Sequence, residues 1–257
     1  DTTVAVDAYF KDVFEGSKFV WRQSNGYFDP TVGPLIDAYG FGNKAQRMQL
    51  DSLQIDSILK YIGLEKTEIL ADGRFKKQLP QTQINFNAIA QGYTVDVLAR
   101  YLRKKGITNF IVELGGEMVV EGSNSAEGKP WVLGIDDPLQ TPENRTLIAK
   151  IKLTGRAMAT SGNYRKVITD TITGEKFVHI INPKTGYNKK GSILSVTVLA
   201  ENCMLADAYA TTLMLMDLQE AQDFLTKHGL DALILYTSAD NQLQQYGTQG
   251  FKGLMVE

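Results

Sequence analysis

The sequence predicts an α+β fold in which mixed or antiparallel sheets pack against helices, and three observations carry that reading. Helical periodicity and strand alternation come in blocks rather than in strict succession. Strand patterns fill most of residues 108–200, broken by short Gly- or Asp-rich turns. An apolar helical stretch, "LADAYATTLML" at 205–215, then leads through a second helical pattern into the strand "DALILYT".

The elements follow in order. Val6, Tyr9, Phe10, Val13 and Phe14 recur at helical spacing, which predicts a first helix within 4–24 stopped by Asn25-Gly26. "GYFDPTVGPLIDAYGFG", rich in Gly, Pro and aromatics, reads as an ordered loop holding one helical turn. Asp51 is a natural cap for the short helix "SLQIDSILKYIG". Residues 66–86 alternate as strands around "ADG", and the pattern takes a strand through "NFN" straight into the helix "AIAQGYTVDVLARYLRKKG", which ends at Gly106. Turns are expected at Gly115-Gly116, Asp136-Asp137-Pro138 and Thr173-Gly174, and helices over 203–216 and 218–228. No repeat or Pro/Ser-rich linker divides the chain, so one domain over 1–257 is expected, or two intertwined α/β subdomains.

Composition excludes several classes of function. With 27 basic and 29 acidic residues the net charge is -2, which gives no general attraction to nucleic acid or an anionic membrane. Cys203 is the only cysteine, so neither an intrachain disulfide nor a cysteine-based metal cluster can form. No apolar run approaches the roughly 20 residues that span a bilayer, and "DTTVAVDAYF" lacks the basic-then-apolar order of a signal peptide; the chain as given reads as soluble.

Chemistry is sought where a polar group interrupts an apolar pattern. Asp207 and Thr211 stand four apart and share one helical face, past the first turn of a helix capped by Asn202. An Asp and a Thr hydroxyl make a partial shell for a hard cation such as Mg²⁺; the competing reading is an Asp at a helix edge paired with Lys or Arg. His179, in "FVHIINPKTGYN" beside Lys184, is either a general base near neutral pH or an ordinary buried histidine. His228 closes a helix before Gly229 as a C-terminal dipole partner. "NFNAIAQGYTVD" offers a helix N-terminus to an anion but is neither a P-loop nor a GxGxxG fingerprint. "ELGGEMVVEG" and "ATSGNYRK" read equally as turns or as places where backbone meets a phosphate.

Taken in order, "GYFDPTVGPLIDAYGFG", "NFNAIAQGYTVD", "ELGGE", "ATSGNYRK", "HIINPKTGYN" and "ADAYATTLML" closely resemble the ApbE-type family, the FAD:protein FMN transferases, over roughly residues 20–240. The resemblance implies a T-fold-related architecture and transfer of the FMN half of FAD to a threonine hydroxyl of an acceptor redox protein, with release of AMP. It implies that Asp207, Thr211 and the Ala88 backbone carbonyl hold Mg²⁺. Phe28, Asp29 and Thr31 of the "FDPT" loop, with Asn85, Gln91 and Ile181, are then expected to contact the flavin nucleotide. His179 would take the threonine proton, and Lys184, Ser161 and Gly162 would meet phosphate. Where the family commonly reads Asp-Leu-Gly-Gly-Ile-Ala-Lys-Gly, this chain has Asn85-Phe86-Asn87-Ala88-Ile89-Ala90-Gln91-Gly92, so an amide replaces a charge at each end.

The resemblance also implies that the chain begins later than family members do, after their export or lipoprotein signal and an amino-terminal strand region. The natural setting would be the periplasm or the outer face of the membrane, with contact only through a lipid anchor absent from these residues. Two other readings use the same residues: a pyrophosphatase that splits FAD into FMN and AMP with water in place of threonine, and a non-catalytic FAD-binding protein.

Overall fold

The computed structural model describes residues 1–42, 50–140, 144, 146–163, 167–169, 176–178, 180–189 and 191–256, with no side chains described over 164–179. In chain order the elements are β1 (Thr3–Val4), α1 (Ala8–Gln23), α2 (Gly33–Ala38), α3 (Ser52–Leu59), a 3-10 turn (Leu64–Lys66), β2 (Thr67–Ile69), β3 (Phe75–Lys77), α4 (Ala90–Lys104), β4 (Phe110–Leu114), β5 (Glu117–Glu121), β6 (Val132–Asp136), β7 (Leu147–Lys152), β8 (Arg156–Gly162), β9 (Val167–Thr169), β10 (Lys176–Val178), β11 (Ile193–Ala200), α5 (Cys203–Met214), α6 (Leu218–His228), β12 (Asp231–Thr237), β13 (Leu243–Gly247), α7 (Gln249–Lys252) and β14 (Met255–Val256). All named strand pairs are antiparallel, and helices and strands are mixed, so the fold class is α+β. No described helix is long and apolar enough to cross a membrane.

The chain forms two compact units, one of residues 1–88 with 166–190 and one of 89–165 with 191–257. The first unit contains α1 to α3 and the small sheets β1-β3-β2 and β10-β9. Asp7 caps α1 by accepting from the Phe10 N–H at 2.8 Å, and the helix stops where Asn25 and Gly26 adopt φ of 49° and 78°, a conformation that ends helices. Asp51 and Gln54 form a complete capping box on α3. Phe14, Leu64 and Phe75 make one core patch, with the Phe10 ring edge-on to Phe75 and Phe86. Leu35, Tyr39, Ile62 and Ile181 make another.

The second unit is built on a six-stranded sheet in the order β13-β12-β11-β8-β5-β4, together with a three-stranded sheet β14-β7-β6. Helix α5 lies against β8, β11 and α4, and Cys203, Ala206, Ala208, Tyr209, Ala210, Leu213 and Met214 are all buried. A helix apolar on nearly every side belongs inside a core, and the small Ala side chains let it approach the sheet closely.

Two sequence expectations need correction. The strand reading of 66–86 contracts to β2 and β3, because Pro80 has no N–H for a ladder and Lys77 turns its ammonium to the Pro80 and Thr82 carbonyls. The chain therefore enters α4 from a turn rather than from a strand. Helix α5 runs Cys203–Met214, in agreement with the expected helix. The segment 238–257, which carried no expectation, adds β13, α7 and β14. The expected turn at Thr173-Gly174 lies outside the described residues.

Candidate active site

In the second unit, α4 and α5 hold each other by exchanging carboxylates. Ile89, at the start of α4, supplies no side-chain cap; instead the Gly92 N–H in the first turn donates to Asp207 Oδ2 at 3.0 Å. In return the N–H groups of Cys203 and Met204, opening α5, donate to the two oxygens of Asp96 at 2.8 and 2.9 Å. Asn202 completes that end by accepting from Leu205 N–H at 2.9 Å. Gly92 with Asp96, and Cys203 with Asp207, are each one helical turn apart, so the same geometry is used twice.

Gly92 is required for this approach. A Cβ there would lie 2.2 Å from the Cys203 carbonyl oxygen and 2.9 Å from Asp207 Cβ, so any side chain would push the helices apart.

Asp207 is 6% exposed, and burial pushes its pKa up to about 6, offset only in part by the Gly92 hydrogen bond. Among the described residues no Lys or Arg is paired with it, so the ion-pair reading of Asp207 gives way to a backbone-held carboxylate. One turn on, Thr211 Oγ1 lies 3.1 Å from Ser161 Oγ of β8. Its neighbour Thr212 is fully buried and donates back to the Ala208 carbonyl at 2.7 Å, a bond that occupies its hydroxyl proton. The oxygen set of Asp207 and Thr211, with a carboxylate underserved by hydrogen bonds, fits a small hard cation.

Gln91 joins the Gly115-Gly116 turn to α4. Its amide donates to the Leu114 carbonyl at 2.6 Å and to the Glu117 carboxylate, which is only 6% exposed. Gly115 adopts φ +63°, a conformation that favours glycine, and a Cβ there would displace this amide. The strand β8 pairs with β11 up to Gly162 but with β5 only over Arg156, Ala157 and Met158. Ser161 is half-buried and Gly162 buried, on the stretch that runs past the end of β5.

In the first unit the "FDPT" side chains are turned inward. Asp29 accepts from Thr31 N–H at 2.8 Å, from Thr31 Oγ1 at 2.6 Å and from Leu64 N–H at 3.1 Å. Thr31 is fully buried and its Oγ1 also accepts from Gly63 N–H at 2.7 Å. With the Thr31 hydroxyl already both donating and accepting, Asp29 and Thr31 hold the loop to the Gly63–Leu64 turn. Burial raises the Asp29 pKa, opposed by the Thr31 and Leu64 hydrogen bonds. Phe28 is buried beside them. Asp29 and Thr31 thus have a task in the scaffold, tying the "FDPT" loop to the Gly63–Leu64 turn.

Asn85 is half-buried; its N–H donates to the Pro30 carbonyl at 2.7 Å, and its Oδ1 accepts from Asn87 N–H at 2.9 Å. The acceptor oxygen that an amide keeps in common with a carboxylate is therefore the atom in use. Ala88, half-buried, ends the first unit. Ile181 is buried and bridges to Asn188, and Lys184 Nζ sits 4.1 Å from the centroid of the Tyr27 ring. His179 lies outside the described residues. His228, in the last turn of α6, lies tilted against Phe224 with ring centroids 4.3 Å apart, and burial followed by the Lys227 charge lowers its pKa.

Sequence reasoning passed over Gly92, Asp96 and Glu117 as site residues. The i, i+4 recurrence of Gly92 and Asp96 within "GYTVD" was the available signal for two of them; Glu117 ends the quoted "ELGGE" but showed no partner, because Gln91 is 26 residues away.

Comparison with known proteins gives this geometry a context. The model of the ApbE family matches residues 1–234. A FAD:protein FMN transferase of Haemophilus influenzae is 33% identical over 258 residues, covering 99% of this chain and 73% of the relative. One from Escherichia coli is 30% identical over 249 residues, covering 95% and 69%. The solved structure of the flavin transferase ApbE from Vibrio cholerae superposes with a TM-score of 0.84 at 30% identity, covering 98% of this chain and 78% of that one. The chain belongs to the ApbE family.

Proposed function

We propose that this protein is a flavin transferase that moves FMN from FAD to a threonine of an acceptor protein and releases AMP, with Mg²⁺ as its metal. The single observation that carries the reading is the buried Asp207 carboxylate, held by Gly92 N–H one turn before Thr211, in a chain related to named FAD:protein FMN transferases.

In the transfer, the acceptor hydroxyl oxygen bonds to the phosphorus of the FMN half, the pyrophosphate P–O bond breaks, and AMP leaves with the electron pair. The hydroxyl proton passes to His179, the base assigned by family resemblance; a neutral threonine is a poor nucleophile without such help. Bound Mg²⁺ would neutralise charge developing on the pyrophosphate. Asp207 and Thr211 would hold that ion, and Gly92 N–H fixes which carboxylate oxygen stays on the protein. Gln91, bonded to Glu117 and the Leu114 carbonyl, ties the first turn of α4 to the β4–β5 turn. The acceptor would be an exported redox protein, met in the periplasm or at the outer face of the cytoplasmic membrane.

Asp207→Ala tests the reading: Mg²⁺-dependent AMP release should be lost while the far-ultraviolet circular dichroism spectrum stays that of the wild type. Undiminished AMP release by a folded Asp207→Ala protein would overturn it.

A further inference from the structure

We infer that Ser161 is a positioning residue for the metal: its hydroxyl takes the proton of Thr211 Oγ1, leaving the Thr211 oxygen lone pairs free to face a cation. The inference rests on the reading of Asp207 and Thr211 as metal ligands and departs from the expectation that Ser161 meets phosphate.

A threonine in a helix interior can send its proton to the carbonyl four residues back, as Thr212 does to Ala208. Thr211 is placed differently, with its hydroxyl 3.1 Å from Ser161 Oγ on the neighbouring strand. A hydroxyl has one proton and two lone pairs, so an oxygen that serves a cation must give its proton to another acceptor. Ser161 is fixed for that purpose by the β8–β11 ladder, in which it pairs with Val196, and it is half-buried rather than freely rotating in solvent. The adjacent pair Thr160 and Thr197 bond to each other at 2.9 Å and leave Ser161 to Thr211. Partners of this kind, bonded to a ligand rather than to the metal, set ligand orientation and commonly carry a tenfold or greater share of metal affinity.

The test uses the whole chain and Mn²⁺ as the probe, with loss of the free-ion paramagnetic resonance signal reporting metal binding in FAD-free and FAD-saturated protein. FAD affinity is read separately from quenching of flavin fluorescence without metal. Ser161→Ala should weaken Mn²⁺ binding about tenfold with FAD affinity unchanged. Thr211→Ala should weaken Mn²⁺ binding at least as much, the double variant should be no worse than Thr211→Ala, and Ser161→Thr, which restores a hydroxyl, should recover binding. Wild-type Mn²⁺ affinity in Ser161→Ala, beside a weakened Thr211→Ala, would overturn the inference and leave the metal reading standing. Loss of FAD affinity alone in Ser161→Ala would also overturn it, in favour of a phosphate contact. Wild-type Mn²⁺ affinity in Thr211→Ala would remove the metal reading and this inference with it. Should Ser161→Ala fail to fold, Ser161→Cys, of similar size but a poorer acceptor, is read by the same criteria.

Discussion

Burial works against the charge on Asp207, which only the Gly92 hydrogen bond offsets. Its folded pKa of about 6 stands above the ordinary 3.8, so between those values the folded protein holds a proton that the unfolded chain has released. Stability contributed by the protonated form is therefore lost as pH rises from about 4 to about 6. Above that window the metal-free protein carries a penalty of roughly 3 kcal/mol. Asp207→Asn keeps an oxygen for Gly92 N–H and removes the charge. In chelator it should resist urea better than the wild type at pH 7.5, with the gap closing toward pH 4, while Mg²⁺ should stabilise only the wild type. Equal urea midpoints at pH 7.5 would contradict this account of the site. The pairing of Asp207 with Thr211 was legible from spacing within one helix. Its hydrogen bond was not, because Gly92 is 115 residues away and sequence periodicity carries no information about which helix lies alongside.

The exchange of carboxylates makes the α4–α5 pair a unit whose order sets where Asp207 and Thr211 stand. Removing the Asp96 carboxylate strips two N–H groups at the start of α5 of their acceptors. Asp96→Ala should cost about 1–2 kcal/mol in urea unfolding, and Asp96→Asn should recover part of it. Unchanged stability in Asp96→Ala would mean that water serves those groups equally well. In the first unit, Thr31→Val keeps the shape of the side chain and removes a hydroxyl that both donates to Asp29 and accepts from Gly63. It should cost about 1–3 kcal/mol by the same measurement; an unaffected midpoint would show that the loop is not held by these bonds. The helix caps at Asn202 and Asp51 and the stops at Asn25-Gly26 and Gly106 were readable because capping is local. The bonding of "FDPT" was not: nothing in its four residues indicates that Asp29 and Thr31 would hold a turn at Gly63 and Leu64, more than thirty residues on.

At the scale of the molecule, the α+β class followed from the blocks of helix and strand, and the order of motifs pointed to the ApbE family, which the comparisons bear out. Strand order did not follow: β8 lies between β11 and β5, a long-range pairing that alternation alone cannot specify. Group transfer is read by incubating the protein with FAD and Mg²⁺, with and without a threonine-containing acceptor, and following AMP by chromatography and the acceptor by mass spectrometry. The account predicts AMP in step with acceptor consumed, and an acceptor heavier by one FMN unit. AMP with free FMN regardless of acceptor, or FAD retained without any AMP, would contradict it.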